Sequence, residues 1–404
     1  MKKICSVTIL IFTFFAGHTQ YQNDNVLFRT VYLEDLCLQL KNNPGYILLD
    51  VRSKGEFEDT SVYSYLNIGH LKGAKHLDIR ELPVRWRELL PYKDQPVFIY
   101  CSHSQRSRRA SKLLSDSGFT HVFNINSGLT GLRMIEDKIA CNQLLESDAP
   151  YQYFSPVEFC RVADKKNTIL IDIRSDSARR GLSLNERENT PGFIRGSINI
   201  PLANLMTSLD KIPKNKQVIL IDEYGNESPK AARMLVDKGF NKPGILFGGM
   251  EGWSTIDASK VTCRNDRTVQ NVRYAVISPA TFQSIYESGT NILLVDVRKA
   301  DEFNNQAKET WRNIGNLKGA RNIPADQMEQ MISTLEPYKS SPVILYSFSG
   351  QPEVYQAAKK LADRGFTEVK VLDGGIFNLR WTAANVRDMS HLNEFVVNVP
   401  PPPK

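Results

Sequence analysis

Cysteine and histidine are both scarce in this chain of 404 residues, at six each. No two cysteines form a CxxC, and no Cys/His cluster has zinc-ligand spacing, so the sequence implies no metal and no cofactor. Apolar runs of membrane-spanning length are also missing. The longest, ICSVTILIFTFFAG at 4–17, has about 14 residues. No basic tract is interleaved with aromatics, which argues against a nucleic-acid partner. The formal net charge is +7, yet residues 27–150 carry 16 Lys/Arg against 15 Asp/Glu and are nearly neutral.

Lys2 and Lys3 precede that short apolar run, which is the pattern of a secretory signal. Residues 1–20 are therefore read as a signal peptide, and the protein as exported, periplasmic or secreted. Removal leaves Cys37, Cys101, Cys141, Cys160 and Cys263. An odd number leaves at least one thiol unpaired within the chain. Cys37, in the helix-patterned LEDLCLQL, reads as buried and inert. Pairing among Cys141, Cys160 and Cys263 stays open, because sequence does not give their separation.

Internal repetition organises the rest. YILLDVR (46–52), TILIDIR (168–174) and ILLVDVR (292–298) are one pattern, a β-branched apolar run ending in an acid and an arginine. GHLKGAKHL, GFIRGSINI and GNLKGARNI follow, then the apolar runs PVFIY, QVILI and PVILY. Each copy closes with SGLTGL, GGMEGW or GGIFNL, where a last turn enters a helix. A unit of roughly 120 residues can bury its own core, so these are domains and not solenoid repeats. Apolar strands alternating with amphipathic stretches give an α/β fold, each copy a mostly parallel sheet covered by helices on both faces. The boundaries are 27–148, 151–265 and 272–387, and the Pro-rich segment 388–404 reads as a disordered tail.

The strand PVFIY runs into CSHSQRS at 101–107. A lone cysteine after a strand is ordinarily a small core residue, but the residues after Cys101 are too polar for a core. Ligands of open α/β folds sit beyond the carboxyl ends of strands, where helix N-termini present free amides. Loop amides, the positive helix end and Arg106 all favour a Cys101 thiolate, and the Ser107 hydroxyl is placed to cap the helix. Arg108 and Arg109 add positive charge beyond the loop, and His103 is a candidate donor to an incoming anion.

On these residues the chain resembles the rhodanese superfamily, whose motifs are an Asp-Val-Arg strand end, a Gly-His-Ile-x-Gly-Ala segment and a Cys-x4-Arg-Ser/Thr loop. The first copy carries them as DVR (50–52), GHLKGA (69–74) and CSHSQRS (101–107). The likeness implies three tandem rhodanese-like domains and a thiosulfate sulfurtransferase. Cys101 would hold a persulfide, with Ser102, His103, Ser104, Gln105, Arg106 and Ser107 binding the substrate. Arg106 would be the recognising cation, while Asp50 and Arg52 brace the loop. The donor would be thiosulfate or a similar small anion, and the acceptor cyanide or a thiol. In the other copies Asp222 and Ser347 replace the cysteine, and Glu227 and Pro352 replace the arginine. Neither side chain can carry sulfane sulfur, so copies 2 and 3 are read as degenerate, serving packing, protein-partner docking or access to the first site. The insertions 58–67 and 304–313 are expected to rim the loop.

Two other classes compete. A non-catalytic scaffold would have no need to keep Cys101 with Arg106, and a thiolate phosphatase or arsenate-type reductase would use a longer Cys-x5-Arg loop. The export reading has a direct check: N-terminal sequencing of the mature chain should start between about residues 17 and 21. An intact Met1 on protein from the cytosolic fraction would refute it.

Overall fold

The computed structural model describes residues 27–135, 144–189, 192–256 and 261–401, so the signal segment and Cys141 lie outside the described residues. In the first copy the strands Arg29–Val31, Ile47–Asp50, Lys75–His76, Val97–Tyr100 and Val122–Ile125 form one sheet. Every pairing in it is parallel, and Val97–Tyr100 lies between Ile47–Asp50 and Val122–Ile125. The sheets of copies 2 and 3 repeat the same strand order.

Strand side chains alternate between faces, and each face must find cover. Leu48, Phe98 and Phe123 pack with Leu36, Leu40, Leu129 and Leu132 from helices Leu36–Asn42 and Gly128–Met134. Leu49, Val97, Ile99 and Val122 pack on the other side with Ala110 and Leu114 of helix Gln105–Asp116. Cys101 belongs to this second cluster. Two buried faces explain why the strands read as continuous apolar runs.

The Asp-x-Arg pairs lock the strand ends. Arg52 binds Asp50 through Nε at 3.0 Å and Nη2 at 2.7 Å, and both are fully buried. Its Nη2 also donates to the Gly69 carbonyl at 2.6 Å, so the brace runs to the Gly-His-Leu-Lys-Gly segment and not to the loop at 101–107. Arg174 and Arg298 make the same bonds to the carbonyls of Gly192 and Gly315.

Each copy ends in a short antiparallel strand laid on that segment. His70–Leu71 pairs with Leu145–Glu146, Phe193–Ile194 with Thr268–Val269, and Asn316–Leu317 with Val396–Val397. The last pairing corrects the reading of 388–404 as a disordered tail for its described residues, 388–401. Residues 390–395 form a 3-10 turn with Leu392 fully buried, because the third copy needs the same covering strand as its predecessors.

The copies also touch one another. Arg233 donates to the Asp59 carbonyl at 3.1 Å, and Tyr274 Oη donates to Glu186 Oε1 at 3.0 Å. Copy 3 returns to copy 1 through Arg108 with Asn385 and through Arg387 with Asp35 at 2.7 Å. The chain thus closes into a ring of three domains. Ser64–Leu66, within the insertion 58–67, packs on helix Ser228–Asp237 of copy 2.

Cys160 and Cys263 form a disulfide across copy 2, and Cys37 is disulfide-bonded and exposed, not a buried inert thiol. Its position explains the miss: Leu36 and Leu40 take the inward face of that helix, and Cys37 points away from it. The Cys160–Cys263 link spans 103 residues. Closing such a loop typically stabilises a domain by about 2–5 kcal/mol. Denaturant titration of the Cys160→Ser/Cys263→Ser double variant should show a loss in that range, and an unchanged midpoint would refute the link.

Candidate active site

The loop after Val97–Tyr100 is held from outside by the helix that ends each copy. The amides of Leu129 and Thr130 donate to the carbonyls of Cys101 and Ser102, both at 3.0 Å. Met250 and Glu251 do the same for Asp222 and Glu223, and Ile376 and Phe377 for Ser347 and Phe348. The approach is so close that a Cβ on Gly128 would meet the Cys101 carbonyl oxygen at 2.2 Å, which requires glycine there. With the first carbonyls of the loop bonded outward, its later amides can turn inward.

The degenerate copies show what those amides seek. Asp222, at the Cys101 position, accepts from the amides of Gly225 at 2.9 Å, Glu227 at 2.6 Å and Ser228 at 3.0 Å. Ser347 Oγ accepts from Gly350 at 3.0 Å and Gln351 at 3.2 Å. Each of these two loops therefore fills its own amide cradle, the anion-binding concavity that successive backbone N–H groups create. The first loop has no oxygen at that position. Its only side chain there is the Cys101 thiol.

The turn itself requires a left-handed residue. Gly225 and Gly350 have φ of 80° and 75°, whereas copy 1 places Ser104 there with φ of 76°. A non-glycine residue in this region costs of order 1 kcal/mol and persists only when its surroundings fix it. Here the Ser104 hydroxyl sits 3.2 Å from both the Ile125 carbonyl and Asn126 Oδ1. Strain is retained only in the copy that has a cysteine.

Cys101 is 1% exposed, and its Sγ lies 3.6 Å from Ser107 Oγ. Ser107 does not cap the helix, as the sequence suggested. The helix starts at Gln105, so Ser107 stands inside its first turn, and its hydroxyl reaches Asn124 Oδ1 at 2.6 Å. Ser102 and Ser104 are buried, while His103 and Gln105 are exposed. His103 Nδ1 lies 3.0 Å from Ser102 Oγ.

Arg106 is already engaged. Its Nη1 and Nη2 form a bidentate pair with Glu56 at 2.6 and 2.7 Å, and Nη2 also donates to Ser102 Oγ at 2.8 Å. Glu56 closes a capping box with Ser53 at the start of helix Lys54–Phe57. The sequence reading missed it, although Ser53-x-x-Glu56 carries the capping-box signature. Arg106 is thus a neutralised strut of the loop as well as a cation. Arg108 lies outside the loop on Asn385, and Arg109 is exposed.

A match to the rhodanese-like domain family spans residues 34–134, 155–256 and 278–381. The chain belongs to the rhodanese family. Curated relatives of this rhodanese include the Bacillus subtilis protein YqhL, 36% identical over 81 residues, which are 20% of this chain and 56% of YqhL. The thiosulfate sulfurtransferase GlpE of Stutzerimonas stutzeri is 28% identical over 88 residues, 21% of this chain and 69% of GlpE. The thiosulfate sulfurtransferase PspE of Escherichia coli is 34% identical over 65 residues, 16% of this chain and 62% of PspE. The chain therefore spans little more than half to two thirds of these relatives. A solved thiosulfate sulfurtransferase from Pseudomonas aeruginosa covers 86% of this chain and 66% of its own, at 18% identity and a TM-score of 0.23. Together the domain matches and curated relatives put the protein in a sulfurtransferase family.

Burial pushes the Glu56 carboxyl up, but the bonds from Arg106 and Ser53 outweigh it and bring the group down to about 2. A carboxyl depressed in the fold stabilises it fully above the ordinary value near 4.5 and loses that contribution as pH falls toward about 2. Urea titrations at pH 5 and pH 3 should therefore show a smaller acid-induced loss in Glu56→Gln than in the parent. Equal losses would mean that the pair does not form.

Proposed function

We propose that this protein is a thiosulfate sulfurtransferase that works through Cys101 in its first domain. The observation that carries this reading is the amide cradle, filled by Asp222 or Ser347 in the dead copies and offered only a thiol in copy 1. In the first step the Cys101 thiolate attacks the outer sulfur of thiosulfate. The new S–S bond forms as the old one breaks, and sulfite leaves with the electron pair. In the second, cyanide or a thiolate attacks that outer sulfur and regenerates the Cys101 thiolate. The persulfide is anionic, and inward amides stabilise such charge without reorganising. Ser107 Oγ accepts from the Cys101 thiol and gives its own proton to Asn124 Oδ1, so it fixes the sulfur's position and the backbone amides carry the charge.

Ser102, Ser104 and Arg106 set the loop shape in this scheme, and His103 and Gln105 line its mouth. Arg106 acts through geometry as much as charge, since Glu56 compensates it. A scaffold without activity would gain nothing from the strain at Ser104. The protein is further proposed to act outside the cytoplasm, a reading supported by the Cys160–Cys263 disulfide, since such bonds persist in oxidising compartments. Copies 2 and 3 are proposed to shape access to the site; docking of a protein partner on them would be compatible with that role.

Steady-state assays with thiosulfate and cyanide test the scheme. Cys101→Ser should abolish turnover while keeping the parent's circular dichroism. Arg106→Ala should lower kcat/KM by on the order of 10²-fold, and Arg108→Ala far less. Comparable turnover in Cys101→Ser would end the assignment, and equal effects from the two arginines would show that general charge, not loop shape, selects the donor.

A further inference from the structure

Where the three copies meet, their loops line an open-mouthed cavity of about 560 Å3. All three active-type loops reach it, copy 1 through Ser102 and His103, copy 2 through Tyr224 and Asn226, copy 3 through Ser349. Tyr65 from the first insertion, Phe247 and Phe377 supply apolar wall. A volume in this range suits a small organic molecule rather than a bare anion.

The charge on the wall is unbalanced. Arg187, Glu251 and Asp373 are the Arg, Lys, Asp or Glu residues that line it among the described residues. Arg187 is paired with Glu251 and lies over the Tyr224 ring at 5.3 Å, so its charge is met. Asp373 forms no ion pair among the described residues; its carboxylate has only the Gly374 amide and a long contact, 3.5 Å, from Asn378 Nδ2. Burial, reinforced by the nearby Glu251, pushes its carboxyl up to about 6; Arg187 and the Gly374 amide pull it back only in part, since Arg187 is already shared with Glu251. A dianion such as thiosulfate is disfavoured in this chamber, whereas a protonated amine would complete it.

We propose that the cavity between the three domains is the acceptor site and that it takes an aminothiol, with Asp373 holding the ammonium group and the aromatic wall holding its body. This rests on the sulfurtransferase reading of Cys101. In the step it serves, the acceptor's thiolate sulfur attacks the outer sulfur of the Cys101 persulfide. One S–S bond forms, the bond to Cys101 breaks, and the electron pair returns to the Cys101 thiolate. The product is the acceptor's own persulfide, and no further oxidant or reductant is required. The assignment gives copies 2 and 3 a reason to be kept without a nucleophile: they supply Arg187, Glu251, Asp373 and most of the wall.

The test uses the full chain and two matched probes, cysteamine, whose amine is protonated at neutral pH, and N-acetylcysteamine, which is neutral. Acceptor kcat/KM is measured for both, with thiosulfate as donor, in the parent and in Asp373→Asn. Comparing the ratio of the two probes between proteins cancels their different thiol acidities. The preference for the amine should fall by about 10-fold or more in Asp373→Asn, the usual scale for losing a buried charged hydrogen bond. An unchanged ratio overturns the proposal. Calorimetric titration with S-methylcysteamine, a cation that cannot accept sulfur, separates the two readings. It should bind Cys101→Ser as it binds the parent and bind Asp373→Asn about 10-fold more weakly. Retained binding with no sulfur transfer in the parent would support the cation site while ending the Cys101 reading. No binding to a parent that does transfer sulfur would end this proposal alone. Should Asp373→Asn fail to fold by circular dichroism, Glu251→Gln serves instead, since it frees Arg187 and must also erase the amine preference.

Discussion

Two backbone hydrogen bonds, from Leu129 and Thr130 to the carbonyls of Cys101 and Ser102, govern the rest of the site. They tie a strand end to a helix start at a spacing only glycine permits, and they recur in all three copies. Fixing those carbonyls outward commits the following amides inward. What stands at the first loop position then decides the fate of the domain. A carboxylate or hydroxyl satisfies the amides from within, and a thiol leaves them for something brought from outside. Replacement of the thiol in copies 2 and 3 therefore left the fold unchanged.

Around that constraint the sheet acts as a rigid mount. The buried Asp50–Arg52 pair and its counterparts would be costly to bury alone, because each takes two charges out of water. Their bonds to the carbonyls of Gly69, Gly192 and Gly315 convert them into braces between strand end and neighbouring segment. The terminal strands at 145–146, 268–269 and 396–397 then cover that segment from outside. The third of these shows why composition misleads at a chain end: the prolines stand only at 400–403, and the polar stretch before them folds because Asn316–Leu317 takes Val396–Val397 as its partner.

The fold was legible in the sequence because repetition exposes it; three spellings of one apolar run ending in Asp-x-Arg leave little room for another architecture. Cys101 was legible for the opposite reason, as the one thiol among three equivalent loop positions. Glu56 was not read, because its significance depends on Arg106, fifty residues away, although the capping box at Ser53 marked it locally. The role given to Ser107 failed on a shift of one helical turn, since the left-handed Ser104 starts the helix earlier than its sequence suggests. Cysteine pairing and the shared cavity were beyond sequence altogether, since both depend on where chain segments far apart in sequence come to rest.

The central claim is that a single sulfur atom is carried, at a single position, in a protein with three equivalent loops. Intact mass spectrometry of the full chain after incubation with thiosulfate, followed by peptide mapping without reduction, tests it most directly. The account predicts a gain of one sulfur atom per chain, located on the peptide containing Cys101 and removed by cyanide. No gain, or sulfur found on Cys37, Cys160 or Cys263 with Cys101 unmodified, would contradict it.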